Sequence, residues 1–96
     1  MQRLKQRMSW RRRRALRSAR MLDDMVDAQV VALPLLPEDV RSRSADQLAE
    51  LVMLAQTYRH FSAGWITRST LDRRCKEIVA RLEGSGSGAW QATHRA

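Results

Sequence analysis

Apolar residues recur along this chain at intervals of three and four, the spacing of a helix that buries one face. The first such stripe is Ala15, Ala19, Leu22, Val26 and Val30, widened by Met25. Upstream of it, within residues 3–14, Leu4 and Met8 are the only aliphatic side chains and Trp10 the only aromatic. The pattern predicts a helix over part or most of residues 3–32, with a front half that is mainly charge. A second stripe, Leu48, Leu51, Val52, Ala55 and Tyr58, has Met53 and Leu54 on its flanks. A third runs Leu71, Cys75, Ile78, Val79 and Leu82. The expected fold is all-α: a small three-helix protein, with a long basic N-terminal helix followed by an antiparallel helical hairpin and a flexible Gly/Ser tail.

Local signals set the expected boundaries. Pro34 and Pro37 disfavour helical geometry at the residues before them, so Leu33-Pro34-Leu35-Leu36-Pro37 ends the first helix. The linker is placed at 33–43, and its apolar start is expected to lie across a neighbouring surface. Ser44 and Gln47 have the spacing of a capping box, which starts the hairpin at 44–83. Gly64 suits the left-handed position after a helix end. The third helix starts near Thr67 or Ser69, with Ser69 and Asp72 as a second box-like pair, and Gly84 ends it. Gly84-Ser85-Gly86-Ser87-Gly88 opens a flexible tail, 84–96, that carries Trp90. The hairpin alone offers too thin a core. The back half of the first helix must pack on it, or two chains must associate through the Met53 and Leu54 flank.

Charge sharpens this picture. Of 18 Lys and Arg residues, nine fall in the first twenty positions, where there is no Asp or Glu. The other nine face all ten acids, so the net charge of +8 belongs to one segment. Cations are unfavourable at the positive end of a helix macrodipole, and adjacent arginines repel. Residues 15–32 are therefore expected to be helical in the free protein, and residues 1–14 frayed until an anion neutralises them. Asp23 and Asp24 are placed to pair with Arg20, with Asp27 one turn on.

Guanidinium groups bind phosphates through paired hydrogen bonds and stack on bases. The candidate nucleic-acid-binding residues are Arg7, Trp10, Arg11, Arg12, Arg13, Arg14 and Arg17, with Trp10 as the stacking ring. The segment resembles the arginine-rich RNA-binding peptides of lambdoid phage antiterminators in being basic, short, N-terminal and helix-capable. A second resemblance rests on Gly64-Trp65-Ile66-Thr67 after Leu48, Leu51 and Leu54, with Lys76 in the following helix. This stretch resembles the short C-terminal helical hairpin called SHOCT. Ser69 and Thr70 stand where that family usually has acids. The resemblance implies a hairpin used for association or docking, with no catalytic residues. Met53, Leu54, Trp65 and Trp90 are the candidate partner-binding residues, the last an anchor on a tether.

The third helix also carries Arg68, Arg73, Arg74, Lys76 and Arg81, as a recognition helix in a major groove would. Asp72, Glu77 and Glu83 dilute that charge and favour a mixed-charge solvent face. Catalytic readings find no support: there is no phosphate loop, nucleophile elbow or paired-carboxylate site. Cys75, His60 and His94 lack metal-ligand spacing, and Cys75 sits on an apolar stripe as a small core residue. No cofactor, metal or enzymatic activity is expected. The favoured partner is RNA or DNA, with a protein partner or a second copy as the alternative and a membrane surface disfavoured. A lone cysteine and the absence of a secretory pattern suit the cytoplasm. A mitochondrial presequence shares the arginine-rich composition, but four consecutive arginines flatten its amphipathic pattern.

Overall fold

A computed structural model describes the backbone of residues 2–85 and the side chains of residues 10–84. Three helices make up the fold: α1 (Gln2–Ala32), α2 (Glu38–Ser62) and α3 (Arg68–Ser85). A 3-10 turn over Leu33–Leu35 joins the first two. The all-α class and the order of one long helix followed by a hairpin are as the sequence indicates. α3 runs through Gly84 to Ser85, so Gly84 does not end it and the first two residues of the expected 84–96 tail are helical; the rest of that tail, with Trp90, lies outside the described residues.

The middle helix organises the rest. Both α1 and α3 pack on α2, while among the described residues the Cα atoms of α1 and α3 stay more than 8 Å apart. The buried apolar side chains are Ala15 and Ala19 on α1, Leu48 and Ala55 on α2, and Leu71 and Ile78 on α3. Half of them are alanines. Small side chains let helix backbones approach closely, so α1 lies on α2 by fit rather than by bulk. Thr57 is the buried polar residue of α2, and its hydroxyl donates to the Met53 carbonyl at 2.8 Å.

The stripes are buried only in part. Leu22, Val26, Leu51, Tyr58, Cys75 and Leu82 are half-buried. Met25, Val30, Val52 and Val79 are exposed, at 47%, 48%, 44% and 42%. An open three-helix arrangement explains the difference. Each outer helix has one neighbour, which covers a narrower arc than the sequence stripe provides.

The start of α2 departs from the expected boundary. The helix begins at Glu38, with Pro37 extended at its N-cap, so the connection is 33–37 rather than 33–43. Ser44 is an interior residue of α2 and no cap. Glu38 and Asp39 occupy the first turn and Arg59 and His60 the last, an order that complements the macrodipole. Arg41 also donates to the Leu36 carbonyl at 3.0 Å, tying the new helix back onto the turn. Within that turn Leu33 and Leu36 are half-buried, while Leu35 is exposed.

The α2–α3 turn follows from its sequence. Gly64 has φ +80°. Its N–H donates to the Phe61 carbonyl at 3.0 Å and the Trp65 N–H to the His60 carbonyl at 2.9 Å, which is a Schellman closure. The His60 and Trp65 rings lie 5.3 Å apart, the side-chain contact that accompanies such an end. Thr67 then caps α3: its hydroxyl oxygen accepts from the Thr70 N–H at 3.1 Å and donates to the Thr70 hydroxyl. Thr67 is thus the cap, and Ser69 with Asp72 forms no box.

The acids of α1 are used differently from the expectation. Asp23 accepts both guanidinium arms of Arg59 on α2, rather than pairing with Arg20. A clamp between helices fixes the rotation of α1 in a way that a pair within one helix would not. At the far end of the hairpin, Arg81 on α3 donates to Glu50 on α2 at 3.0 Å.

Replacing Gly64 tests the turn. A Cβ there meets an unfavourable φ and stands 3.1 Å from the Arg12 guanidinium. Gly64→Ala is expected to lower unfolding free energy by about 1–2 kcal/mol in urea titrations. Gly84→Ala, with open space around it, should raise stability by up to about 1 kcal/mol. Equal losses at both positions would contradict the assignment.

Candidate nucleic-acid interface

The arginine run does not present one face. Helical phase sends its side chains in three directions around α1. Arg12, in phase with Ala19 and Asp23, turns toward the hairpin and lies over Gly64 at the C-terminal end of α2. A cation is favourable there, since the last carbonyls of α2 form the negative end of its dipole. Arg13, Arg17 and Arg20 are exposed on the side of α1 away from the hairpin. Arg11 and Arg14 point to the third side, toward α3, and so does Trp10.

Because α1 and α3 stand apart, a cleft of about 650 Å³ opens between them above α2. Its α1 wall is Trp10, Arg11, Arg14 and Ser18. Its α3 wall is Arg68, Asp72, Cys75 and Lys76. The floor is Ala15, Tyr58, Phe61 and Leu71. Four cations from opposite ends of the sequence thus line one cleft with a single carboxylate, Asp72, which is 3.8 Å from Arg68. The cleft has a net positive rim over an aromatic and apolar floor. Trp10 is 53% exposed, and the Arg14 guanidinium lies 5.6 Å from its ring centroid. That contact holds both side chains at the cleft mouth.

At the floor, burial, the neighbouring Cys75 and Asp72 together raise the Tyr58 pKa. Burial also raises that of Cys75; its hydrogen bond to Tyr58 pulls the other way, and the Asp72 charge adds to the rise. Both groups therefore stay protonated at neutral pH. The thiol is a small half-buried wall group and lacks the thiolate character of a nucleophile.

Among the candidates named from sequence, Trp10, Arg11 and Arg14 come together at the cleft. Arg12 lies against the Gly64 turn, and Arg13 and Arg17 lie on the outer face. The side chain of Arg7 lies outside the described residues, although α1 is continuous from Gln2 and residues 2–14 are helical rather than frayed. With Arg12 at the hairpin turn, α1 continues past the end of α2 for about 15 Å at ~1.5 Å per residue. Trp65 is 75% exposed at the turn. Met53 is 46% exposed and lines a smaller cleft of about 350 Å³ between α2 and α3. Leu54 is half-buried. Trp90 lies outside the described residues.

Arg68 and Lys76, which from the sequence suit a major groove or a solvent face, join the N-terminal arginines only in the folded chain. From the sequence Tyr58 belongs only to the core, and Phe61 and Ser18 carry no assignment. The spacing of Arg68, Asp72 and Lys76 at i, i+4 and i+8 places them on one face of α3. Which helix that face meets is a tertiary fact. Among the described residues there is no group of three or more His, Cys, Asp or Glu placed to hold a metal ion. No described helix is long and apolar enough to cross a membrane.

The raised thiol pKa gives a measurable pH profile. Alkylation of Cys75 by iodoacetamide should reach half its limiting rate above about pH 8.5, the free-thiol value. Asp72→Asn should move that midpoint down, because it removes a charge that opposes the thiolate. A midpoint below the free-thiol value in the unaltered chain would contradict the burial described. No protein-family model, no curated protein and no solved structure matches this chain.

Proposed function

We propose that this chain is a small non-enzymatic nucleic-acid-binding protein that engages phosphates through the arginines of α1, with the α2–α3 hairpin as its scaffold and as a surface for association. The observation that carries this reading is the convergence of Arg11 and Arg14 with Arg68 and Lys76 on one cleft. Cations repel, and a fold that gathers four of them in one cleft with a single paired carboxylate leaves a site complementary to an anion. A helix whose charge order runs against its own dipole is held by tertiary packing, and its excess potential is available to a polyanion.

An apolar docking reading has its own support. Trp65, Met21, Val31 and Leu35 are exposed at 75%, 67%, 78% and 85%. Large exposed side chains of this kind can serve a protein partner or a second copy of the chain. Salt separates the two readings, because phosphate contacts release counterions and apolar contacts do not.

Removing residues 1–20 is not a clean test, since it deletes the buried Ala15 and Ala19. Replacing Arg11, Arg14 and Arg17 with Ala leaves Arg12 against the Gly64 turn and the seam intact. Full-length protein should bind duplex DNA with a slope of log affinity on log salt near −4.5, for about five phosphate contacts. The triple variant should lose about 2–3 units of that slope and most of its affinity at physiological salt. Arg73→Ala, which removes an exposed pair with Glu77, should change little. Unaltered binding by the triple variant would sink the proposal.

A further inference from the structure

We infer that the cleft between α1 and α3 accepts an unpaired nucleotide, its base against the aromatic side chains and its phosphate on the cationic rim. This rests on the nucleic-acid reading above and names the kind of strand that reading leaves open. Three aromatic rings line the cleft: Trp10 at the mouth, and Tyr58 and Phe61 at the floor. Every base has a π-face that stacks on such rings without regard to sequence. A duplex keeps its bases stacked on one another and offers only phosphates, so it would engage the cationic rim and leave the aromatic floor empty. An aromatic floor beneath a cationic rim is matched by a ligand that carries a flat apolar ring and an anion together.

Size points the same way. The volume of about 650 Å³ lies within the ~300–1,000 Å³ range of small-molecule sites. It suits one nucleotide rather than a partner helix about 10 Å across. The floor also offers a polar handle. The Tyr58 hydroxyl and the Cys75 thiol are both kept protonated, so a base edge meets neutral donors instead of a buried charge. On the wall, Ser18 already donates to the Arg14 carbonyl at 3.2 Å, and its small side chain leaves the cleft open.

The test uses the full chain carrying Trp65→Phe and Trp90→Phe, so that Trp10 alone reports. It is titrated with a fully paired RNA hairpin, with the same hairpin bearing one unpaired nucleotide, and with free nucleoside monophosphate. The bulged hairpin should bind about tenfold more tightly than the paired one, as one stacked base predicts, and it should quench Trp10. Quenching by the monophosphate alone at millimolar concentration would support the same chemistry from a free ligand. Ser18→Phe, which fills the wall, should abolish the preference for the bulged hairpin and the quench together. Equal affinity for the two hairpins, or a preference that survives Ser18→Phe, overturns the inference and leaves the phosphate-binding reading standing. Binding to neither hairpin overturns both. Displacement of Trp10 emission by an acidic amphipathic peptide, with no response to either RNA, overturns both in favour of a protein partner.

Discussion

The contact between α1 and α2 rests on small side chains, and the rest of the molecule depends on it. Ala19 is fully buried, and Ala15 and Ala55 are nearly so. Side chains of this size set a short distance between helix axes and leave little tolerance for rotation. The Asp23–Arg59 clamp adds a polar constraint on the same rotation. Side chains at both partners are about 40% exposed, so the pair contributes little net stability and its role is orientation. Once the seam is set, helical phase decides the fate of every arginine in the run. Arg12 goes to the Gly64 turn, Arg11 and Arg14 face α3, and Arg13, Arg17 and Arg20 face outward.

Charge order makes that packing necessary. α1 places eight of its nine cations at or before its midpoint and all three of its acids beyond it. Such a helix is disfavoured by its dipole and by repulsion between neighbouring guanidinium groups. α2 has the opposite arrangement, with acids first and cations last. The well-ordered helix carries the badly ordered one, and the Arg12 position at the α2 C-terminus is where the two electrostatic problems partly cancel. What remains uncancelled is a positive field along the cleft and the outer face, which is the basis of the proposed function.

Much of the fold was legible because its signals are local. The i, i+3, i+4 stripes predicted three helices, and Gly64 predicted the turn, since only the left-handed backbone closes the two hydrogen bonds after Phe61. Ser44 misled because a cap motif inside a longer helix looks the same as one at its start. The competing signal, Pro37-Glu38-Asp39, is dipole-favourable but lacks the hydroxyl that the capping-box pattern seeks. Val30, Val52 and Val79 misled for a geometric reason, since stripe width gives no count of neighbouring helices. The site was half legible. Trp10, Arg11 and Arg14 stood out from composition, but Arg68 and Lys76 join them through a separation of more than fifty residues that only packing closes.

The central claim is that cations from α1 and α3 act as one anion site. NMR resolves arginine side-chain N–H signals individually, so a titration with a short single-stranded oligonucleotide addresses it directly. The account predicts that the Arg11, Arg14 and Arg68 signals shift together along one saturation curve, while Arg12, held on the Gly64 turn, and Arg73, paired with Glu77, stay still. Shifts at Arg11 and Arg14 without Arg68, or movement of all arginines in proportion to ionic strength alone, would contradict a shared site.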